Sequence, residues 1–392
     1  MLPGVLAVLC VSALPVAAAP ADTWHLLAAQ PAGVGDAPVS ALTVDPSVPA
    51  RLLYGTETGE IYRSSDGGAT FARVATGIGH GVLALAFDPI EPTHVLAGTR
   101  GAGIWRSEDS GGTWHPLDKG SETVRSFAFS EGLSVAGTDS GVLVTTDGDT
   151  WTPADLQDAS VAAVAVGGGS IIAGADIDRA AQGLPLFKSG DAGASWKPLS
   201  PPAGAGQIVS SLSLGTSRLL LGTATGLYAS SDSGASWTAL SGSATLPATD
   251  FTTLVPAGSR LYAASDGGAG LNGGLWASDD GQTFRTLAAP IHTVTAVAVT
   301  GSTVYAATFR PVDHAVQLWS YVDDGGAPQP PDKLPPSPAP FKAAAATSTV
   351  SLSSAWLTAL VRGPEAPYLA LGAGAVLILF LALVAYLRRG RA

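Results

Sequence analysis

Short apolar segments separated by polar turns recur along most of the chain, and apolar and polar positions alternate within them as they do in β-strands. Seven of these segments align as equivalent inner strands, at residues 40–44, 83–87, 125–129, 162–166, 210–214, 252–256 and 295–299. A second apolar strand follows each one, and we expect a turn after it, with Gly-Thr at 55–56 and 98–99. The pattern predicts an all-β fold made of seven similar units.

An octapeptide recurs along the chain at nearly even spacing. Ser107–Trp114 reads Ser-Glu-Asp-Ser-Gly-Gly-Thr-Trp, and near-copies lie at 64–71, 189–196, 230–237 and 277–284, with a copy one residue shorter at 145–151. The aspartates of the copies lie 38 to 47 residues apart, a period typical of a four-stranded propeller blade. These aspartates are Asp66, Asp109, Asp147, Asp191, Asp232 and Asp279.

We interpret these aspartates as structural residues of the turn between the third and fourth strands of each blade. In such a turn an Asp side chain accepts backbone N–H groups, and Gly adopts positive φ. Calcium binding or carboxylate catalysis is the alternative. However, one residue repeated around a ring does not form a unique active site.

The N-terminus supplies the outer strand that the seventh unit lacks. Only six octapeptides accompany the seven inner strands, but Asp22-Thr23-Trp24-His25-Leu26-Leu27 matches Gly112-Thr113-Trp114-His115-Pro116-Leu117, an outer strand. Pairing of the two chain ends would remove the open edge of a linear array. We therefore predict a single seven-bladed β-propeller, residues 22–324, closed by the N-terminal strand.

The octapeptides resemble the Asp-box (BNR) repeat of sialidases, xyloglucanases, sortilin-type receptors and the photosystem II assembly-factor family. The resemblance covers residues 22–324 and implies a propeller whose boxes lie on the face away from the binding site. It says little about activity, because such folds host many functions. A sialidase would also have an Arg-Ile-Pro element, and a sortilin a cysteine-rich module; both are absent from the sequence. An assembly factor would act as a chaperone for a membrane protein through a basic patch.

The two ends of the chain predict export and membrane anchorage. Residues 1–21 combine an apolar run with small residues, which is typical of a cleaved signal peptide. Residues 368–387 carry no charge and would span about 30 Å as a helix, which fits a bilayer. The tail, 388–392, contains three arginines and is predicted to be cytoplasmic. The Pro/Ala/Ser-rich linker, 325–367, favours extended structure.

Charge and chemistry narrow the functional classes. A formal net charge of −11 argues against nucleic acid as a partner. The single cysteine, Cys10, falls in the predicted signal peptide, so the exported domain must be held together by its core. The six histidines are scattered without metal-ligand spacing. We therefore predict no cofactor and no metal site.

Recognition is expected in the turns opposite the boxes, because long loops on a rigid scaffold tend to carry it. Three of these turns look long: 174–184, 264–274 and 307–316. Arg100, Arg125, Arg179 and Arg310 lie on or beside this face and could hold an anion. The predicted binding residues are Asp176, Asp178, Arg179, Asp266, Asn272, Arg310, Asp313 and His314.

Two functions stay open from the sequence. The first is a membrane-anchored, extracellular, non-catalytic binding or assembly module for a protein or a glycan. The alternative is an exo-acting glycoside hydrolase, sialidase-like or xyloglucanase-like. Such an enzyme needs two carboxylates at a defined separation, and nothing in the sequence selects a pair. The first function is therefore the prediction.

Overall fold

The computed structural model describes residues 23–325, with short gaps. The gaps are 30–36, 76–77, 79, 118–119, 131, 158, 177–185, 204, 206–208, 215–217, 243–245, 247–249, 266–272, 288–292 and 311–313. The chain divides into two units, Met1–Leu334 and Pro335–Ala392, and all described residues belong to the first. The predicted signal peptide, membrane span, tail and nearly all of the linker lie outside the described residues. Within these residues, no helix has the length and apolar character needed to cross a membrane.

The described part of the chain contains 28 strands and no helix. In chain order they begin with β1 Trp24–Ala29, β2 Val39–Val44, β3 Leu52–Thr56, β4 Ile61–Ser64, β5 Ala72–Ala75, β6 Val82–Phe87, β7 Val95–Thr99, β8 Ile104–Ser107, β9 His115–Pro116, β10 Val124–Ser130, β11 Leu133–Thr138, β12 Gly141–Thr145, β13 Thr152–Gln157 and β14 Ser160–Gly167. They continue with β15 Ser170–Asp176, β16 Leu186–Ser189, β17 Lys197–Leu199, β18 Val209–Leu214, β19 Leu219–Thr223, β20 Gly226–Ser230, β21 Thr238–Ala239, β22 Phe251–Ala257, β23 Arg260–Ser265, β24 Gly274–Ser278, β25 Arg285–Thr286, β26 Val294–Thr300, β27 Thr303–Arg310 and β28 Ala315–Val322.

The described strands form seven four-stranded antiparallel sheets, which are the blades of a closed propeller. Blades 1 to 6 are β2–β5, β6–β9, β10–β13, β14–β17, β18–β21 and β22–β25. Blade 7 has the order β26-β27-β28-β1, so the N-terminal strand is its outer strand. Each inner strand lies beside that of the next blade, and β26 lies beside β2. The predicted seven-bladed fold and its closure are confirmed.

The closing strand is fixed to two blades by one tryptophan. Trp24 is only 3% exposed, and its ring centroid lies 5.0 Å from that of Tyr321 in blade 7. Its indole Nε1 donates a hydrogen bond of 2.7 Å to the carbonyl oxygen of Leu287, which follows the outer strand of blade 6. A buried ring with a satisfied N–H combines apolar burial with direction. The closing strand therefore completes the sheet of blade 7 and also contacts blade 6.

The expected Gly-Thr turns are wrong, because these dipeptides end the second strand instead of forming a turn. Gly55 and Thr56 both lie in β3 and are buried. A Cβ on Gly55 would lie 2.5 Å from Cγ1 of Val82, the residue that begins the inner strand of the next blade. The glycine is therefore required by close approach between blades.

Every inner strand has a buried apolar residue at its first or second position, followed by a β-bulge. The buried residues are Val39, Val82, Val124, Val161, Val209, Phe251 and Val294, each at most 1% exposed. The residues displaced from the ladder are Ser40, Leu83, Arg125, Ala162, Ser210, Thr252 and Thr295. Bulges redirect side chains away from the regular ladder. Arg125 is the one exposed residue of this set.

Candidate functional site

The propeller has two faces with different turns. We call the face that carries the Asp boxes and the turns between first and second strands the box face. The loop face carries the turns between second and third strands, such as 57–60 and 100–103, and the connections between blades, such as 120–123. The sequence places the predicted binding residues on the loop face.

Each full-length box on the box face satisfies its own polar groups, as blade 2 shows. The Ser107 hydroxyl donates to Asp109 Oδ1 at 2.7 Å and accepts from the N–H of Gly111 at 2.8 Å. Asp109 also accepts the N–H of Thr113 at 2.8 Å and, through Oδ2, the hydroxyl of Thr113 at 3.0 Å. The carboxylate is therefore occupied by its own turn.

In blade 6 the box aspartate is Asp280, so the assignment of Asp279 was wrong. Asp280 accepts the hydroxyl of Ser278 at 3.0 Å and the N–H of Thr283 at 2.7 Å, which are the bonds of a box. Asp279 instead accepts a hydrogen bond from Arg260 Nε at 2.5 Å. The error arose because two aspartates are adjacent and we aligned the first. With Asp280 as the box residue, the box of blade 6 is one residue short, like that of blade 3.

The hydrogen bonds of the boxes lower the pKa of their carboxyl groups. Hydrogen bonds from the side chain of Ser195, the side chain of Ser189 and the backbone of Ser195 lower the pKa of Asp191 to about 2. The Ser236 side chain and backbone lower the pKa of Asp232 to about 2 in the same way. These carboxylates are therefore poor proton acceptors, which agrees with a structural role and not with acid–base catalysis.

Blade 7 keeps an aspartate at the box position, and the sequence analysis missed it. The pairing of Val304 with Tyr321 corresponds to that of Leu52 with Ser64, so Asp323 stands where Asp66 stands in blade 1. Its only sequence signal is Asp-Asp-Gly-Gly at 323–326, with neither a Ser before it nor a Thr-Trp pair after it.

The Asp323 carboxylate is fully buried; it accepts the N–H of Gly325 in its own turn at 3.1 Å, and its other partners lie in blade 6. Arg285 forms an ion pair with it, as does Arg260 Nη1 at 3.0 Å. The hydroxyl of Tyr262 donates a hydrogen bond of 2.9 Å to Asp323 Oδ2. Burial raises the pKa of Tyr262 to about 12, so this phenol stays a neutral donor. The cluster links blades 6 and 7 near the end of the propeller.

Of the predicted binding residues, three are described. Asp176 ends β15 in blade 4, where its backbone pairs with Ser160. Arg310 and His314 lie in blade 7, where Arg310 pairs with Ala315. Blades 5 and 6 lie between these two groups in the ring. The others lie outside the described residues: Asp178, Arg179, Asp266, Asn272 and Asp313.

The blade 7 turn is shorter than the sequence suggested. β27 and β28 stay paired as far as Arg310 and Ala315, so residues 307–310, 315 and 316 of the expected turn 307–316 belong to the two strands. His314 has a positive φ of 54°, and its ring centroid lies 5.9 Å from that of Phe309 in an edge-to-face contact. The pairing of β-branched and aromatic residues extended the hairpin beyond the expected strand end.

Buried hydroxyl groups fix most of the loop-face turns. The hydroxyl of Thr99, for example, donates to the carbonyl oxygen of Gly103 at 2.8 Å and accepts from the N–H of Ala102 at 3.0 Å. The equivalent residues, each at most 1% exposed, are Thr56, Thr99, Thr138, Thr223, Ser265 and Thr308. Blade 4 has Ala175 at this position, next to the predicted Asp176. The turn of that blade therefore begins without the hydroxyl.

Arg100 and Arg125 lie on the loop face near the junction of blades 2 and 3. Arg100 forms an isolated β-bridge with Thr123, two residues before the bulged Arg125. Thr123 is also held by Asp139, whose Oδ1 accepts its N–H at 3.0 Å. Both arginine side chains are exposed, and neither has a hydrogen-bond or ion-pair partner among the described residues. Their guanidinium groups are therefore available to an external acceptor.

The described residues contain no group of three or more His, Cys, Asp or Glu side chains that could hold a metal ion. The exposed carboxylates Glu57 and Asp139 of the loop face belong to different blades. Among the described residues of this face, no pair of carboxylates is identified as the acid and the nucleophile of a glycosidase.

The comparisons with known proteins support the fold. YCF48 from Cyanidioschyzon merolae aligns with a TM-score of 0.55 at 15% identity, over 78% of this chain and all of that chain (100%). YCF48 bound to D1 peptide aligns with a TM-score of 0.56 at 15% identity, over 77% of this chain and 94% of that chain. The extracellular domain of BT4673 from B. thetaiotaomicron gives 0.57 at 15% identity, over 76% and 39% of the respective chains.

No family model matches the chain, and no curated protein matches it. At 15% identity the structural likeness establishes the fold alone. This fold is the propeller that the Asp-box resemblance implied.

Proposed function

We propose that this protein is a non-catalytic binding module that recognises a protein partner through its loop face. One observation carries the proposal: Arg100 and Arg125 are both exposed near the Arg100–Thr123 bridge, and neither side chain has a hydrogen-bond or ion-pair partner among the described residues. Guanidinium groups bind carboxylates in a bidentate, directional manner. The recognised group is therefore a carboxylate, borne by an acidic side chain or a chain terminus.

The rigidity around the two arginines supports recognition. Thr123, which lies between them in the fold, is held by the bridge to Arg100 and by two hydrogen bonds with Asp139, each 3.0 Å long. A rigid backbone reduces the entropy lost when a partner binds. A propeller of this fold, YCF48, has been solved bound to D1 peptide, which supports a peptide segment as the kind of partner.

We also propose that the propeller is exported and anchored by residues 368–387, with the linker 325–367 between domain and membrane. The support is the uncharged segment followed by three arginines, and the apolar N-terminal run. In this arrangement the loop face meets partners outside the cytoplasm. Cell-surface proteolysis that removes the propeller from intact cells, but leaves the tail, would test this topology; a protected propeller would contradict it.

The test of partner binding is affinity capture from detergent-solubilised native membranes with the tagged full chain. The variant Arg100→Gln/Arg125→Gln removes both guanidinium groups and leaves the backbone intact. The matched control is Lys188→Gln/Lys197→Gln, which removes the same charge from paired strands at the outer part of blade 4. We expect a captured protein to be lost from the arginine variant and kept by the control.

Equal capture by both variants would contradict the proposal, because binding would then not depend on the arginines. The glycosidase alternative is tested with chromogenic glycosides. Turnover that disappears when Glu57 or Asp139 is changed to its amide would favour the enzyme.

A further inference from the structure

The two short Asp boxes each border a cavity on the box face. In full-length boxes a glycine with positive φ packs against the preceding blade: a Cβ on Gly111 would lie 2.6 Å from Leu53 Cδ1. The short boxes of blades 3 and 6 lack the residue that corresponds to Gly111. Gly148 and Gly281 directly follow the box aspartate, as Gly67 does in blade 1; a Cβ on Gly148 would have no atom within 4 Å, and one on Gly281 would meet only Arg218 Nη1 at 3.6 Å. Loss of one residue therefore withdraws the turn from its neighbour and leaves space between the blades.

The cavity beside the blade 3 box has a volume of about 190 Å³, and we call it the blade 3 cavity. This volume far exceeds what one water needs. Apolar walls come from Phe129 and Leu133, and Ile90 lies at the rim with 67% of its surface exposed. Among the described residues only Val48 shares the character of a large exposed aliphatic side chain. An apolar pocket with an exposed aliphatic rim is suited to a partner side chain.

Three carboxylates line the same cavity, at Asp88, Glu91 and Asp147. Asp88 Oδ1 accepts the N–H groups of Ile90 at 2.7 Å and Glu91 at 3.1 Å, and Glu91 pairs with His94 at 3.0 Å. Asp147 Oδ1 accepts the hydroxyl of Thr145 and the N–H groups of Asp149 and Thr150. The cavity is therefore acidic as well as apolar.

We propose that the blade 3 cavity is a docking pocket for a lysine or arginine side chain of a protein partner. The methylene stem of such a side chain packs on apolar walls while its head reaches carboxylates. An apolar residue next to it in the partner would contact Ile90. This surface lies on the opposite face from Arg100 and Arg125, and its chemistry is complementary to theirs. The proposal does not depend on the loop-face site.

The comparison with blade 6 argues that charge, and not space alone, selects the occupant. The blade 6 cavity is larger, about 250 Å³, but it is lined by Arg218 and Arg260 as well as Asp279 and Asp280. Arg260 pairs with Asp279, and Asp280 accepts the hydroxyl of Thr283 through its second oxygen at 3.0 Å. Its charges are therefore compensated within the chain, which makes it a natural control.

The experiment measures fluorescence anisotropy of two labelled peptides with the full chain in detergent. The peptides are Gly-Leu-Lys-Phe-Gly and the same sequence with norleucine in place of lysine, both blocked at their ends. We expect the lysine peptide to bind about tenfold more tightly, because only it pairs with the carboxylates. Equal binding of the two peptides, or no binding of either, would overturn the proposal.

Two variants locate the binding. A glycine inserted between Gly148 and Asp149 restores a full-length box, closes the cavity and should abolish binding. The same insertion between Gly281 and Gln282 fills the blade 6 cavity and should leave binding unchanged. If the blade 3 insertion does not fold, Asp88→Asn/Glu91→Gln decides: it keeps the shape and should weaken the lysine peptide about fivefold. Unchanged affinity in the decisive variant would overturn the assignment.

Discussion

Arginines on the two faces of the propeller differ in their partners. On the box face, Arg51, Arg106, Arg260 and Arg285 each form an ion pair with a carboxylate of the same chain. On the loop face, Arg100 and Arg125 are exposed and have no partner among the described residues. Ion-paired guanidinium groups stabilise the fold, whereas exposed guanidinium groups without an internal partner are accessible to a ligand. The difference distinguishes the scaffold from the surface that we propose for recognition.

The blade 3 cavity is an exception to this comparison, because it lies on the box face and we propose it as a docking pocket. Full-length boxes form hydrogen bonds within their own turns. The box of blade 3 is one residue shorter, and the cavity beside its Asp147 is also lined by Asp88 and Glu91. A scaffold element thus acquires a surface for binding by a minimal change in length. Insertions and deletions in turns are tolerated because they leave the strands in place.

Both faces exist only while the ring is closed, so the largest effect is expected from removing the closing strand. Deletion of residues 22–27 exposes the edge of β28 and removes the buried ring of Trp24. We expect cooperative unfolding of the whole propeller, measured as loss of the thermal transition in circular dichroism. Trp24→Phe, the milder control, keeps a buried ring but loses the hydrogen bond to Leu287 and part of the packing of the indole, and should cost about 2 kcal/mol. A deletion variant with unchanged melting temperature would contradict closure.

The next largest effect distinguishes two carboxylates that bind the same arginine. Asp323 is buried and Asp279 is 60% exposed, and both pair with Arg260. Asp323→Ala leaves arginine charges without compensation between blades and should destabilise the fold by about 3 kcal/mol. Asp279→Ala should cost no more than about 0.5 kcal/mol. Urea unfolding of the two variants measures the difference in the free energy of unfolding. Equal effects would contradict a structural role for Asp323.

The overall fold was predictable because it repeats. Seven apolar inner strands, the period of the boxes and the likeness of residues 22–27 to an outer strand together predicted seven blades and their closure. The Gly-Thr turns were wrong because sequence cannot distinguish a glycine needed for φ from one needed for close approach. Gly55 is required by Val82 of the next blade, a contact that only the assembled ring creates.

The candidate sites were less predictable, since they depend on departures from the repeat. The adjacent pair Asp279-Asp280 hid a short box, and Asp323 lacked the flanking residues by which a box is recognised. Arg125 could be named from sequence, but its exposure follows from the bulge after Val124, whose position a hydrophobic pattern does not fix. The short box at 145–151 is visible in the sequence, but the cavity beside Asp147 is not, because it depends on how the shortened turn packs against blade 2.

The third effect is a loss of stability in acid that comes from the box face. The boxes lower the pKa of Asp191 and Asp232 from 3.8 to about 2, through hydrogen bonds that only the folded turns provide. Because the folded-state pKa lies below the unfolded value, this stabilisation is present above pH 3.8 and is lost as the pH falls toward 2. We expect the melting temperature to fall across this window. A flat profile would contradict the hydrogen-bond network.

A single substitution assigns the acid effect to the boxes. Asp191→Asn removes one titrating carboxylate while keeping an oxygen acceptor, so the melting temperature should be lower at neutral pH and should change less between pH 4 and pH 2. Lys197→Gln, a change at an exposed residue of the same blade that removes no carboxylate, is the control and should leave the acid profile of the wild type. Parallel profiles for wild type and Asp191→Asn would contradict the assignment.

The smallest effect on stability is expected where the effect on binding is largest. Arg100→Gln/Arg125→Gln removes two exposed guanidinium groups without internal partners, so the melting temperature should stay within about 2 °C of the wild type. Arg260→Gln, its box-face counterpart, leaves the buried Asp323 carboxylate with one ion pair fewer and should lower the melting temperature clearly. If recognition resides on the loop face, only the first variant loses its partner at full stability, because its arginines serve the ligand and not the fold. A loop-face variant that melts early would show that these arginines belong to the scaffold, and the two faces would no longer differ in kind.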